Sequence, residues 1–159
     1  MESLVVSFSV VGKPEPAGSK NAFVPLNRKT REPFRRPNGG VVVSVVDNNP
    51  KAKGWKAAVA EQARLNMLGK PPVDGPLRVL MTFAVARPQS HYGTGRNATR
   101  LKDSAPKFPT SKPDLLKCSR AVEDACTGVC YVDDAQIVVE TLRKVYGDPG
   151  VSVMVFRLA

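Results

Sequence analysis

Residues 111–136 read SKPDLLKCSRAVEDACTGVCYVDDAQ. Leu115, Cys118, Val122 and Ala125 recur at helical spacing, which predicts a helix over 115–126 with Gly128 as its stop. Leu116, Arg120 and Glu123 share another face of that helix, because steps of three and four residues bring side chains together. "VCYV" then leads to Asp133 and Asp134, just ahead of a strand over 136–146. A helix start and a strand start each carry aspartate, and packing the two elements side by side brings these starts together.

Working outward from this segment, residues 4–11 (LVVSFSVV) predict a first strand with Val6, Phe8 and Val10 on one face. Residues 12–40 read as a loop or irregular ribbon punctuated by proline and glycine, which "VVVSVVD" at 41–47 closes as a short strand. Asn48 or Asn49 caps a helix that starts at Pro50 and runs to about Leu68. Trp55, Ala58, Val59, Ala63 and Met67 form its apolar face. Residues 77–86 alternate as a strand, residues 87–113 form a long loop, and "GDPG" turns into a last strand, VSVMVFRL. The expected fold class is α+β. It is a single domain over 1–159, a two-layer β-α-β-α-β-β arrangement with a small mixed sheet, two main helices and a terminal hairpin.

The chain is cationic: 24 Lys and Arg stand against 14 Asp and Glu, a formal net charge of +10. Such a balance points to a polyanionic partner, nucleic acid above all, with a solubility surface as the alternative. The cations are clustered. Lys13, Lys20, Arg28, Lys29, Arg31, Arg35 and Arg36 face only Glu15 and Glu32 in the first loop. Arg87, Arg96, Arg100, Lys102, Lys107 and Lys112 face only Asp103 in the second, with Tyr92 and Phe108 among them. Either loop suits a phosphate-gripping arm; the second also reads as a solvated linker. Lys144 on the 136–146 strand is a further candidate contact.

The start of the chain lacks the pattern of a secretory signal, and no apolar run is long enough for a bilayer. A cytoplasmic, nucleoid-associated protein with no membrane partner is expected. Cys118, Cys126 and Cys130 are odd in number and fit no common zinc spacing, so they are expected as buried thiols.

Mg²⁺ takes hard oxygen ligands, commonly one or two carboxylates with water or phosphate oxygens completing its shell. Acids gathered inside a basic surface are what a metal-dependent nuclease needs: acids for the metal, bases for the DNA. The local pattern also admits a simpler reading. Asp114 suits a helix cap, and Asp133 and Asp134 suit a turn.

The segment resembles the RusA family of Holliday junction resolvases, in particular its phage and prophage branch. The shared pattern is K-P-D-x-D-[NK]-x-x-[KR]-A-V-x-D-A-L-T-G followed by D-D-[AS]-Q-[IV]-V; here it stands as KPDLLKCSRAVEDACTG and then DDAQIV. "GKPEPAGSKNAFVP" and "HYGTGRNATRLKDSAP" are similar to flanking segments of the family. The resemblance implies a RusA-like fold and a homodimeric, Mg²⁺-dependent endonuclease, with Mn²⁺ as a substitute. Such an enzyme cuts two opposed strands of a four-way DNA junction. It assigns Asp114 and Asp134 to metal binding and catalysis, with Asp133 as a further metal candidate. Arg120 falls where the family carries an essential lysine.

The sequence departs from the family at Leu116, where a second catalytic aspartate belongs. Glu123 lies two turns away, about 10 Å along the axis, so Asp133 is the expected stand-in. Two readings follow: an active junction resolvase, or a RusA-like protein that binds branched DNA and cuts it weakly or not at all. A basic RNA-binding domain is a third, but "LVVSFSVV" supplies no aromatic RNA-binding strand.

Overall fold

The structure is a computed structural model describing residues 1–18, 20–47 and 49–159; the side chains of Lys20 and Asp47 are not described. Its strands are β1 (Glu2–Val11), β2 (Lys20–Phe23), β3 (Ser44–Asp47), β4 (Leu77–Val85), β5 (Ile137–Tyr146) and β6 (Gly150–Leu158). Its two long helices are α1 (Pro50–Met67) and α2 (Leu115–Cys126). The main sheet has the order β1-β6-β4-β5, and β2 pairs with β3 in a separate two-stranded sheet. This is the α+β class expected, with a mixed main sheet.

The order β1-β6-β4-β5 corrects one expectation, since β5 and β6 do not form a terminal hairpin. β6 lies between β1 and β4, antiparallel to both, while β5 runs parallel to β4 at the edge. The turn at 147–149 reverses the chain but leaves open which neighbour each strand takes. Apolar demand decides it: Val151, Val153 and Val155 of β6 are buried, so β6 belongs in the middle. Close approach helps there, because a Cβ on Gly150 would stand 2.5 Å from the Val10 carbonyl oxygen of β1.

Register builds the core in rows. Val6, Val155 and Val79 lie side by side, as do Phe8, Val153 and Met81, then Val10, Val151 and Phe83. Both helices cover this face and contact each other. Asn49 caps α1 through its side-chain oxygen, which accepts from Lys51 N, and Pro50 opens the first turn. Trp55, Val59, Ala63 and Met67 are buried as expected, with Ala52 and Ala60. Ala58 is exposed instead, one position off the stripe. α2 buries Cys118, Val122 and Ala125 against the sheet layer, with Ala121 and Cys126. Gly128 (φ 74°) follows its end as expected. Lys56 of α1 meets Asp124 of α2 at 2.5 Å, tying the helices on their outer side. Cys118, Cys126 and Cys130 are free and buried. Among the described residues no helix is long and apolar enough to cross a membrane.

Phe83, near the end of inner strand β4, is 1% exposed. Phe83→Ala is expected to cost about 3–5 kcal/mol of stability, read from urea unfolding midpoints; a loss below about 1 kcal/mol would place it outside the core.

Candidate active site

The rows of the core do not end in apolar residues. Register continues them into edge strand β5: Val79 aligns with Glu140, Met81 with Leu142, and Phe83 with Lys144. Glu140 and Lys144 therefore sit on the helix-facing side of the sheet. Alternation along a strand requires this once Leu142 points inward. The sequence carried the signal as ETLRK, though no role follows from it without the register.

Each charge meets a different end of α2. Lys144 Nζ donates to the carbonyl oxygens of Ser111 (2.7 Å) and Pro113 (3.0 Å), fixing the segment just before Asp114. Glu140 comes close enough to Glu123, near the other end of the helix, for the two carboxyl groups to influence each other. α2 thus runs antiparallel to β5. Asp114 sits at one end of their shared face, and the Glu123–Glu140 pair sits at the other. Nine residues of helix between Asp114 and Glu123 span about 13 Å.

Asp114 is the first residue before α2, with extended backbone and no side-chain cap bond. Its carboxylate is exposed, with Lys117 at 3.8 Å. It lines an open cleft of about 370 Å³ walled by Lys13, Pro14, Glu15, Lys112 and Lys117. The 13–18 loop is held there by Ala17 N–H donating to Lys117 O (2.8 Å) and by Asn49 donating to Pro16 O (2.9 Å).

Asp133 and Asp134 open a short 3-10 turn, Asp134–Gln136, at the head of β5. Asp133 works on the backbone: its Oδ1 accepts from Ala135 N at 2.8 Å, and Gln136 Oε1 accepts from Asp133 N at 2.8 Å. Gln136 Nε2 also donates to Gly75 O (3.0 Å) and Asp74 Oδ1 (3.1 Å), anchoring the turn beside the start of β4. The D-D-A-Q run is a built turn that holds Asp134 exposed, close enough for its charge to act on Glu123.

Leu116, Arg120 and Glu123 lie on the α2 face expected. Leu116 is 72% exposed and Arg120 is exposed, with no ion pair among the described residues. Burial first, then the neighbouring Glu140 carboxyl and the charge of Asp134, push the Glu123 carboxyl up to about 7, with nearby Ser119 opposing them. A carboxyl whose folded value exceeds its unfolded one adds stability that is complete below pH about 4.5 and lost as pH rises through 7. Water still reaches the pair, so the loss is discounted to about 1–2 kcal/mol. Glu123→Gln should abolish this loss between pH 5 and pH 8, measured by urea unfolding without divalent metal. An unchanged pH slope would contradict the contact.

The cations divide into presented and committed groups. Arg28 and Arg36 are exposed on the ribbon between β2 and β3; Arg35 is exposed too, its guanidinium donating to Gly39 O at 3.0 Å. Isolated bridges, Leu26 to Pro33 and Arg35 to Val41, order this ribbon. The side chain of Lys20 lies outside the described residues. Arg96, Arg100 and Lys112 are exposed on the second loop, while Lys102 Nζ binds Ser90 O at 2.8 Å. That loop has structure of its own: two short 3-10 turns, a Tyr92–Leu101 bridge, and Arg87 3.9 Å over the Tyr146 ring while donating to Pro106 O.

Asp114 and Asp134 thus approach the α2–β5 face from opposite ends. Among the described residues no three Asp, Glu, His or Cys side chains stand close enough to encage an ion. The carboxylates are hard oxygen donors of the kind a divalent cation takes, but Asp114 stands about 13 Å along α2 from Glu123, the residue on which Asp134 acts, so within one chain Asp114 and Asp134 do not converge on a single ion. Glu140 and the structural role of Lys144 are what sequence reasoning missed.

Acids set in a basic, solvent-open surface suit contact with nucleic acid, and the comparisons name a family. The family described as endodeoxyribonuclease RusA matches residues 24–156. An uncharacterized protein, YqaN of Bacillus subtilis (strain 168), is 32% identical over 129 residues, covering 76% of this chain and 85% of that one. The chain belongs to the RusA endodeoxyribonuclease family.

Proposed function

We propose that this chain resolves four-way and other branched DNA junctions by paired, symmetric incisions. It would act as a homodimer dependent on Mg²⁺, with Mn²⁺ able to replace it, in the cytoplasm at the nucleoid. The observation that carries this reading is the family match over 24–156; Asp114 and Asp134, the aspartates the resemblance assigns, stand at the two ends of one solvent-open face beside cationic residues.

The family resemblance assigns Asp114 and Asp134 to metal binding, although they stand at opposite ends of the α2–β5 face; Asp133 steadies the turn that carries Asp134. A bound ion would supply the charge that polarises the scissile phosphate and neutralises the leaving oxygen. Arg120 projects from the same face of α2 as Leu116 and Glu123. Its guanidinium stays charged and grips phosphate oxygens, but does not exchange protons at neutral pH. Lys13, Lys112 and Lys117 line the cleft beside Asp114 and suit the neighbouring phosphates. Arg28, Arg35 and Arg36, with Arg96 and Arg100, extend the cationic surface toward the DNA arms. Four-way junctions differ from duplex mainly in shape, so grip falls on phosphates rather than base edges.

Exposed Leu116 supports a second reading, that of a protein which binds junctions without cutting them. A synthetic four-way junction incubated with Mg²⁺ and either the natural chain or Leu116→Asp separates the two. Paired nicks from the natural chain support the resolvase. Nicks from Leu116→Asp alone would sink it in favour of binding.

A further inference from the structure

We infer that Phe34, at the centre of the ribbon between β2 and β3, stacks on a nucleobase left without a neighbour at the branch point of DNA. The inference rests on the branched-DNA reading above and adds a contact that the phosphate-binding cations do not supply.

The ribbon folds on itself. Asn27 N–H donates to Glu32 O (2.8 Å) and Arg31 N–H to Asn27 O (2.9 Å), closing one turn. Arg36 N–H donates to Gly40 O (2.7 Å), closing a second. The bridges Leu26 to Pro33 and Arg35 to Val41 lie between them, so residues 33–35 become the middle of three short segments. Phe34 N–H donates to Pro25 O (3.2 Å) on one side, and Phe34 O accepts from Val42 N–H (2.8 Å) on the other. The backbone of Phe34 is thus held from both sides, yet the residue is 49% exposed.

Among the described residues Phe34 joins no ring–ring or cation–ring contact, whereas exposed Phe108 has Lys107 Nζ 5.6 Å from its ring centre. Phe23, Leu26, Val43 and Val45 are exposed on the same ribbon, so its apolar side chains are not spent on the main fold. Charge says what covers them. Arg35 and Arg36 follow Phe34 directly, and Arg28, Lys29 and Arg31 stand at the first turn, against Glu32 alone. A second copy of the ribbon would set like charge against like. DNA supplies both complements, phosphates for the cations and flat base faces for the ring. Every base has such a face, so the contact tolerates any sequence and leaves the base edges unread. In continuous duplex those faces are covered by neighbouring bases; where strands branch, the stack is interrupted and a ring can enter without first unstacking it. Phe34 therefore favours branched DNA over duplex, a distinction that phosphate contacts alone do not make.

The test is binding with divalent metal chelated, so no outcome depends on cutting. A four-way junction carrying aminopurine, a fluorescent base analogue, at its branch point is compared with a duplex of the same length. The natural chain, Phe34→Ala and Phe34→Trp are titrated against both, and circular dichroism checks each fold. Phe34→Ala should weaken junction binding about tenfold or more, change duplex binding by less than about twofold and leave the salt slope unchanged. Phe34→Trp should keep the natural affinity, and aminopurine fluorescence should respond to the natural chain but not to Phe34→Ala. No loss, or an equal loss on junction and duplex, overturns the inference while leaving the branched-DNA reading intact. A smaller assembly of Phe34→Ala in analytical ultracentrifugation would make the ring a contact between copies and overturn it too. A natural chain that binds junction no better than duplex overturns both.

Discussion

Asp114→Asn is expected to slow junction incision at least about a hundred- to a thousandfold, with junction affinity changed by less than about threefold. The structure makes this substitution clean. Asp114 stands ahead of α2 without capping it through its side chain, so the helix does not depend on the carboxylate. Its ion pair with Lys117 is exposed and long, at 3.8 Å, and such pairs add little stability. What asparagine removes is a full negative charge on the cleft wall, where the resemblance places a metal ligand. Incision assays at saturating protein separate cutting from binding. An unchanged rate would remove Asp114 from the chemistry.

The second large effect is on binding. Junction affinity should fall by about three to five powers of ten between 50 and 200 mM salt, the response for six to ten phosphate contacts. Arg28, Lys29, Arg31, Arg35 and Arg36 are exposed on the β2–β3 ribbon, opposed there only by Glu32. Arg96, Arg100, Lys107 and Lys112 are exposed on the second loop. Replacing Arg35 and Arg36 with alanine should lower the slope of log affinity against log salt by about 2. A flat salt response would mean that neither surface meets DNA.

Much of this molecule was readable from residue order because local pattern and packing agree. Helix α2 announces itself through Leu115, Cys118, Val122 and Ala125, and it ends where Gly128 follows. The alternation Leu77, Val79, Met81, Phe83 gives β4 its buried face. β2 was hidden because KNAF is short and pairs with β3 across a ribbon of some twenty intervening residues. The place of β6 was hidden because strand order depends on which long-range pairs bury most apolar surface. The site divides the same way. Asp114, Arg120 and Asp134 stand out by motif, but Glu140 gains meaning only when register lines it up with Val79 and aims it at Glu123. Along the helix axis Glu123 stands about 10 Å from Leu116; its neighbour Glu140 comes from across the sheet.

The function of Asp133 also became clearer in three dimensions. Its carboxylate and Gln136 brace each other's backbone, so the D-D-A-Q turn is rigid at its base and leaves Asp134 outward. Arg120 is exposed beside Leu116 on the same face of α2.

The most direct measurement is strand mapping of a synthetic four-way junction, labelled on each strand in turn and incubated with the natural chain and Mg²⁺. Symmetrically placed nicks in two opposed strands, absent when the metal is chelated, are the predicted result. Tight binding of the junction with all four strands intact, under conditions in which Leu116→Asp cuts, would contradict it.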